Sequence, residues 1–324
     1  MLIGSLLGGS SIGVISNYIP VKSKFAINAW RSGINCIYFI IPAFIELYIK
    51  RKEINFKEIF SFKRYMFIMV TLLMNLIWVF GLLFSSSRTI QSHTYVLNNV
   101  HGLFLVLINL VIGKTVVSLE KFGVLFTIVG CTTILFDPNA GRVGAGSLNA
   151  KDQALIGNLV NMGSAFFGAL YFLMNAKNVK MLPICSLILF QYIHLFMLNA
   201  IFAKTFASES EPIEIFSMDK EKGCFGFFDP EIAGLAFGYF GIFSSVLGSA
   251  GYIICLLFYP PQVVCNAYLL EPFIAQFLGY WLGIDKIPGL LTFVGTLVTL
   301  AGVILIDKGS KASKQKENDS KFFE

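Results

Sequence analysis

An acid stands beside a proline in the middle of an apolar stretch at residues 262–307, QVVCNAYLLEPFIAQFLGYWLGIDKIPGLLTFVGTLVTLAGVILID. An ionisable side chain at the depth of Glu271 is costly in hydrocarbon unless it faces protein, water or a partner. Pro272 removes one backbone donor and disfavours helical geometry at Glu271. Irregular backbone at membrane depth is tolerated where it is buried in protein or lines a cavity, and interrupted helices near the midplane are typical of secondary transporters. Two readings are open for Glu271: a proline kink whose carboxyl is satisfied by neighbouring helices, or a carboxylate that meets a solute or a coupling ion. Arg31, in the first two turns of an apolar run at 25–49, has the same ambiguity. It is near enough to the interface to snorkel, and equally able to point into a cavity.

Uncharged polar residues recur around these two. Asn158, Asn161, Ser164, Gly168, Tyr171 and Asn175 follow one another at three or four positions, which puts them on one face of a helix. Thr94, Asn98 and His101 share a face of another run; Gln262, Asn266 and Gln276 are compatible with one face of a third, and Tyr268 with another face alongside Glu271. Such stripes line cavities for small zwitterionic or heterocyclic solutes, or hold helices together through hydrogen bonds. The candidate solute contacts are therefore Arg31, Asn98, Asn99, His101, Asn158, Asn161, Tyr171, Asn175, Asn266 and Tyr268, with Glu271 as the ion-coupling residue. His93 and His194 stand alone and do not make a metal set. There is no HExxH, no pair of intrahelical aspartates and no GxxxxGK[ST], so no catalytic residue, metal or cofactor is assigned.

The elements that hold these residues must be membrane helices. Of 324 residues, 56% are hydrophobic and only 14% charged, with a mean hydropathy of +0.72, which no soluble domain approaches. The net charge of +6 comes from Lys and Arg at the ends of apolar runs, where they set topology, so no nucleic-acid partner is implied. Five of the six cysteines lie in apolar runs and Cys224 in a polar loop, which is neither a disulfide framework nor a zinc spacing.

Five runs precede the small-residue stretch DPNAGRVGAGSLNAKDQ: one from the start of the chain with small residues at Gly4, Gly8, Gly9 and Gly13, then 25–49, 65–85, 91–112 and 122–136. Five more follow at 154–175, 182–206, 232–258, 262–283 and 288–306. Between the seventh and eighth lies the longest polar loop, 207–231. The predicted organisation is a first five-helix repeat at 1–137, a linker at 138–153, a second repeat at 154–307 and a polar tail at 308–324 expected to be disordered. The two halves carry one pattern offset by 172 positions: Leu97, Asn99, Lys114, Gly123, Thr127 and Gly130 fall on Leu269, Glu271, Lys286, Gly295, Thr299 and Gly302. An odd number of helices per repeat turns the second copy upside down, the inverted-repeat arrangement of many transporters. Asn99 and Glu271 are then pseudo-symmetric. With both termini cytoplasmic, fifteen Lys and Arg lie inside and nine outside, as the positive-inside rule requires.

The sequence AYLLEPFIAQFLGYWLG, with the glycine-spaced helix ending GVILID, resembles the closing hairpin of EamA-type proteins of the drug/metabolite transporter superfamily. Arg31 in AWRSGI resembles the arginine of their second helix. The chain departs from that pattern in carrying Asp285 rather than glutamate after the ninth helix, and Asn99–Val100 where the second repeat has Glu271–Pro272. The resemblance implies an all-α membrane protein of ten transmembrane helices in two inverted five-helix repeats around a central cavity. It further implies alternating-access transport of a small organic metabolite, in a plasma membrane or endomembrane, without nucleotide hydrolysis. The partners it admits are the solute, a proton or cation, the lipid bilayer and a second copy of the chain. A nucleotide-sugar carrier and a non-transporting sensor or assembly subunit are the alternative expectations; the former would favour deep basic residues, of which Arg31 is the one available.

Overall fold

The computed structural model describes residues 2–51, 61–111, 113, 116–137, 150–180, 182–209, 211–259, 264 and 267–322. Among them helices are joined by turns and irregular segments, with no strand beyond two isolated backbone bridges in the loop before residue 234. The helices are α1 (Leu2–Ile15), α2 (Lys24–Lys50), α3 (Phe62–Ser86), α4 (Gln91–Asn98), α5 (His101–Val111), α6 (Ser118–Leu135), α7 (Ala150–Asn178), α8 (Ile184–Thr205), α9 (Gly234–Phe258), α10 (Glu271–Trp281) and α11 (Leu290–Phe322). Seven of these, α2, α3, α6, α7, α8, α9 and α11, are long and apolar enough to cross a bilayer. The protein is a multi-pass membrane protein.

Local chemistry sets the helix ends. The Ser23 hydroxyl accepts the Ala26 amide to start α2, and the Glu120 carboxylate reaches back to the Val117 amide at 2.9 Å to start α6. No side-chain cap comes from Pro183 at the head of α8; Glu46 of α2 supplies it, accepting the Ile184 and Ser186 amides at 3.0 Å each. In α9 the glycine-rich segment Gly234–Ala250 is π-helical, and the Gly251 amide reaches the Val246 carbonyl five residues back.

Two runs that the sequence presents as continuous are irregular. The run at 91–112 divides into α4 and α5 at Asn99, which leaves helical geometry with φ −95° and ψ 10°. In the run at 262–283, a 3-10 turn at Tyr268–Leu270 precedes α10. Glu271 itself is helical, with φ −55° and ψ −42°, contrary to the expectation that Pro272 pushes it out of that region. The proline lies in the first turn of α10; the amide it lacks would have met the Tyr268 carbonyl four residues back, which instead accepts the Glu271 amide in the 3-10 turn, so the irregularity falls just upstream.

The tail also differs from expectation. α11 continues to Phe322, and Lys311 pairs with Asp307 one turn back at 2.7 Å. Lys, Gln, Glu and Ala in this segment are good helix formers, and pairs four residues apart add to that preference. Of the linker, 138–149 lies outside the described residues and 150–153 already belong to α7.

Packing is by close approach of small residues. α6 lies on α11 so tightly that a methyl group added at Gly123 would stand 2.6 Å from the Gly302 carbonyl, and one at Gly295 2.8 Å from the Gly130 carbonyl. α1 meets α9 at Gly8 and Gly248, α3 meets α7 at Gly81 and Ser164, and α2 lies along α8. α10 packs on α4 and α1, while α7 packs on α4 and α5. The loop at 207–233 is folded onto α2: Trp30 donates its indole N–H to the Gly223 carbonyl at 2.9 Å, and Cys224 and Phe227 are buried beneath it.

Candidate functional site

The break at Asn99 meets the 3-10 turn before α10. Asn99 donates through Nδ2 to Glu271 Oε2 at 2.7 Å and to the Tyr268 carbonyl at 3.0 Å. The second bond serves a carbonyl in the turn that interrupts the run before α10; the first serves the carboxylate. Side-chain donors of this kind re-satisfy backbone groups that a broken helix releases in hydrocarbon. Glu271 is 5% exposed and abuts Gly9 of α1, which leaves no room for a larger residue there.

Glu271 also lines a central cavity of about 50 Å³, shared with Arg31, Trp78, Tyr95, Tyr171 and Tyr252 among others. A space of that size holds a few water molecules. Arg31 and Glu271 are the two charged side chains on its wall. The guanidinium is 4% exposed, turned inward rather than carried to the membrane surface. It donates through Nη1 to Asn28 Oδ1 at 2.9 Å and through Nη2 to the Ser249 hydroxyl. Both acceptors are neutral, and Nε has no acceptor. Asn28 is braced by Asn199 of α8 at 3.1 Å.

The remaining sequence candidates divide by position. Asn98 and Tyr171 line the cavity. Asn98 donates to Asn161 Oδ1 at 2.8 Å, and Asn161 donates to the Thr94 carbonyl, so Asn161 ties α7 to α4. Asn175 donates to the Tyr171 hydroxyl at 3.2 Å and accepts from Gln191 at 2.8 Å, fixing that ring from behind. Asn158 lies 3.2 Å from His93 Nδ1, and His93 Nε2 is 2.6 Å from the Thr292 hydroxyl. His101 is packed edge-on against Trp78 and Phe172. Tyr268 bonds the Ser5 hydroxyl and lies against Tyr252, with ring centroids 3.8 Å apart. Asn266 lies outside the described residues.

Sequence reasoning missed Asn28, Asn75, Trp78, Tyr95, Tyr192, Ser249 and Tyr252, all on the cavity wall. A signal existed for some of them. Asn28 precedes Arg31 by three positions, so both share a helical face, and Asn75 and Trp78 have the same spacing on α3. The tyrosines stand singly in apolar runs and carry no period. Tyr95 is locked across α1, donating to the Gly9 carbonyl and accepting from the Gly13 amide at 2.9 Å each.

No family model and no curated protein matches the sequence. Solved structures do match the fold: one crystal structure superposes with a TM-score of 0.57 at 12% identity, covering 94% of each chain. At that identity the likeness concerns the fold alone.

Proposed function

We propose that this chain is a secondary transporter that moves a small organic metabolite by alternating access. In this reading ten crossings are arranged as two inverted five-helix repeats, as in EamA-type proteins, with α4–α5 and the 3-10 turn with α10 each making one interrupted crossing. The observation that carries the reading is the Asn99–Glu271 contact. Two residues 172 positions apart touch each other where one helix breaks and the other tightens into a 3-10 turn, beside a cavity that holds one buried cation. Exchange of the first five crossings for the second five also maps the Gly123–Gly302 contact onto Gly295–Gly130, and α1 on α9 onto α7 on α3. A two-fold axis in the membrane plane produces such reciprocity.

Arg31 is bonded to neutral acceptors and keeps one N–H free, so it is suited to an anionic group such as a carboxylate on the solute. Glu271 lies on the same wall and is suited to a proton, a cation or the ammonium of a zwitterion. A cavity of about 50 Å³ is smaller than a metabolite needs, so in this reading the cavity widens when solute binds. The test is a counterflow screen in proteoliposomes with amino acids, nucleobases and nucleotide sugars. Saturable exchange of a small carboxylate-bearing or heterocyclic solute is expected. Exchange confined to nucleotide sugars would replace the solute assignment, and no exchange of any class would favour a sensor or assembly subunit.

A further inference from the structure

A second cavity of about 230 Å³ lies away from the central one, between α2, α3 and α8. Its walls are almost wholly apolar and include Ala43, Leu47, Tyr65, Ile68, Leu189 and Phe190. It adjoins the bilayer side of the molecule: Tyr65 and Ile193 at its rim are well exposed. A dry slot open to hydrocarbon admits an acyl chain rather than a polar solute.

The end of the slot is basic. Leu47 is followed on the same face of α2 by Lys50 and Arg51, three and four residues on. Across the slot, Leu182 follows Lys180 by two residues, and both Arg51 and Lys180 are exposed. Lys63 and Arg64 begin α3 one turn before Ile68. Among the described residues, the acid in the vicinity, Glu46, is already engaged by the Ile184 and Ser186 amides and by Lys50 at 3.5 Å. The Arg51 guanidinium lies 4.7 Å over the Tyr48 ring, a contact that leaves its charge outward.

We propose that this slot is a binding site for an anionic phospholipid, with one acyl chain between α2, α3 and α8 and the headgroup held at Arg51 and Lys180. The assignment depends on the chain being embedded in a membrane and is independent of what it transports. A lipid seated there would join the C-terminal end of α2 to the start of α8, two helices that pack along each other and carry Arg31 and its brace Asn199.

The full-length chain, purified from vesicles of equal phosphatidylglycerol and phosphatidylcholine, is titrated with each lipid by native mass spectrometry. Preferential retention of phosphatidylglycerol is expected. Basic side chains at a membrane surface contribute about 1 kcal/mol each, so the double variant Arg51→Ala/Lys180→Ala should weaken phosphatidylglycerol binding by about 30-fold and leave phosphatidylcholine binding unchanged. Leu189→Trp, which fills the slot, should abolish retention of both lipids; Ile193→Trp at the rim serves if that variant does not purify intact. Equal retention of the two lipids by the unaltered chain would overturn the headgroup assignment, and undiminished retention in the slot-filling variant would overturn the site.

Discussion

Asparagine at position 99 gives the Glu271 carboxylate a hydrogen-bond donor without a second charge. Positions related by a two-fold axis touch only where they lie on it, and two carboxylates at 2.7 Å could not both ionise. In the proposed inverted repeat, an acid on one side and an amide on the other therefore follow from their contact. Because Asn99 bonds Glu271 and the Tyr268 carbonyl rather than lining the cavity, Asn99→Ala should alter the pH dependence of uptake as well as its affinity. It should also cost about 1–3 kcal/mol through unsatisfied buried acceptors. Thermal unfolding in detergent, with uptake measured across pH, checks both parts. Arg31→Lys keeps the charge but loses the fork that reaches Asn28 and Ser249 together, so uptake should fall, by about tenfold if one charged hydrogen bond of 1.5 kcal/mol or so is lost. An unchanged rate would assign Arg31 to helix packing alone. At this scale the sequence displays the offset that pairs Asn99 with Glu271 but not their contact, since an offset relates positions without saying where they meet. It also left open which way Arg31 turns, because a long basic side chain near a helix end reads the same buried or exposed.

Between helices, glycine spacing is the most legible feature of the sequence. Gly123, Gly130, Gly295 and Gly302 are placed seven apart in each half, and the structure puts them against one another's backbones. Gly123→Leu should destabilise the protein by about 1–3 kcal/mol or more, because the new side chain meets the Gly302 carbonyl and Ile306 with no room to relax. The same substitution at Gly163, which faces open space, should leave the melting temperature within a degree or so. Equal effects at the two sites would mean that helix propensity, not packing, is being measured. The breaks were less legible. Proline marks one of them, yet places it one residue late, while the paired asparagines of NNVHG, poor helix formers that favour caps and turns, mark the other only weakly inside an apolar run. The tail shows the same limit: its charge density suggests disorder, yet lysine, glutamate and glutamine also favour helix where pairs such as Asp307–Lys311 form.

Across the whole molecule, the seven long apolar helices were plain from composition, while the folded loop at 207–233 was not. That loop is polar in sequence, but Trp30 and the Phe225–Phe228 cluster draw it onto α2. Burial also pushes the Cys224 thiol up to about 11, so it should resist labelling at neutral pH. Topology is therefore read with introduced cysteines at Met218, which is exposed, and at Ala312 in the final helix. Impermeant reagent added outside sealed cells should label Met218→Cys and spare Ala312→Cys; labelling of both would contradict the inverted repeat. Under the proposed function, the Glu271 carboxylate couples solute movement to an ion. This coupling is tested most directly by comparing Glu271→Gln with the unaltered protein in proteoliposomes, using a solute found by the counterflow screen. The variant should exchange solute across the membrane yet fail to accumulate it against a gradient and lose the pH dependence of uptake. A Glu271→Gln protein that still concentrates solute with a normal pH response would contradict the account.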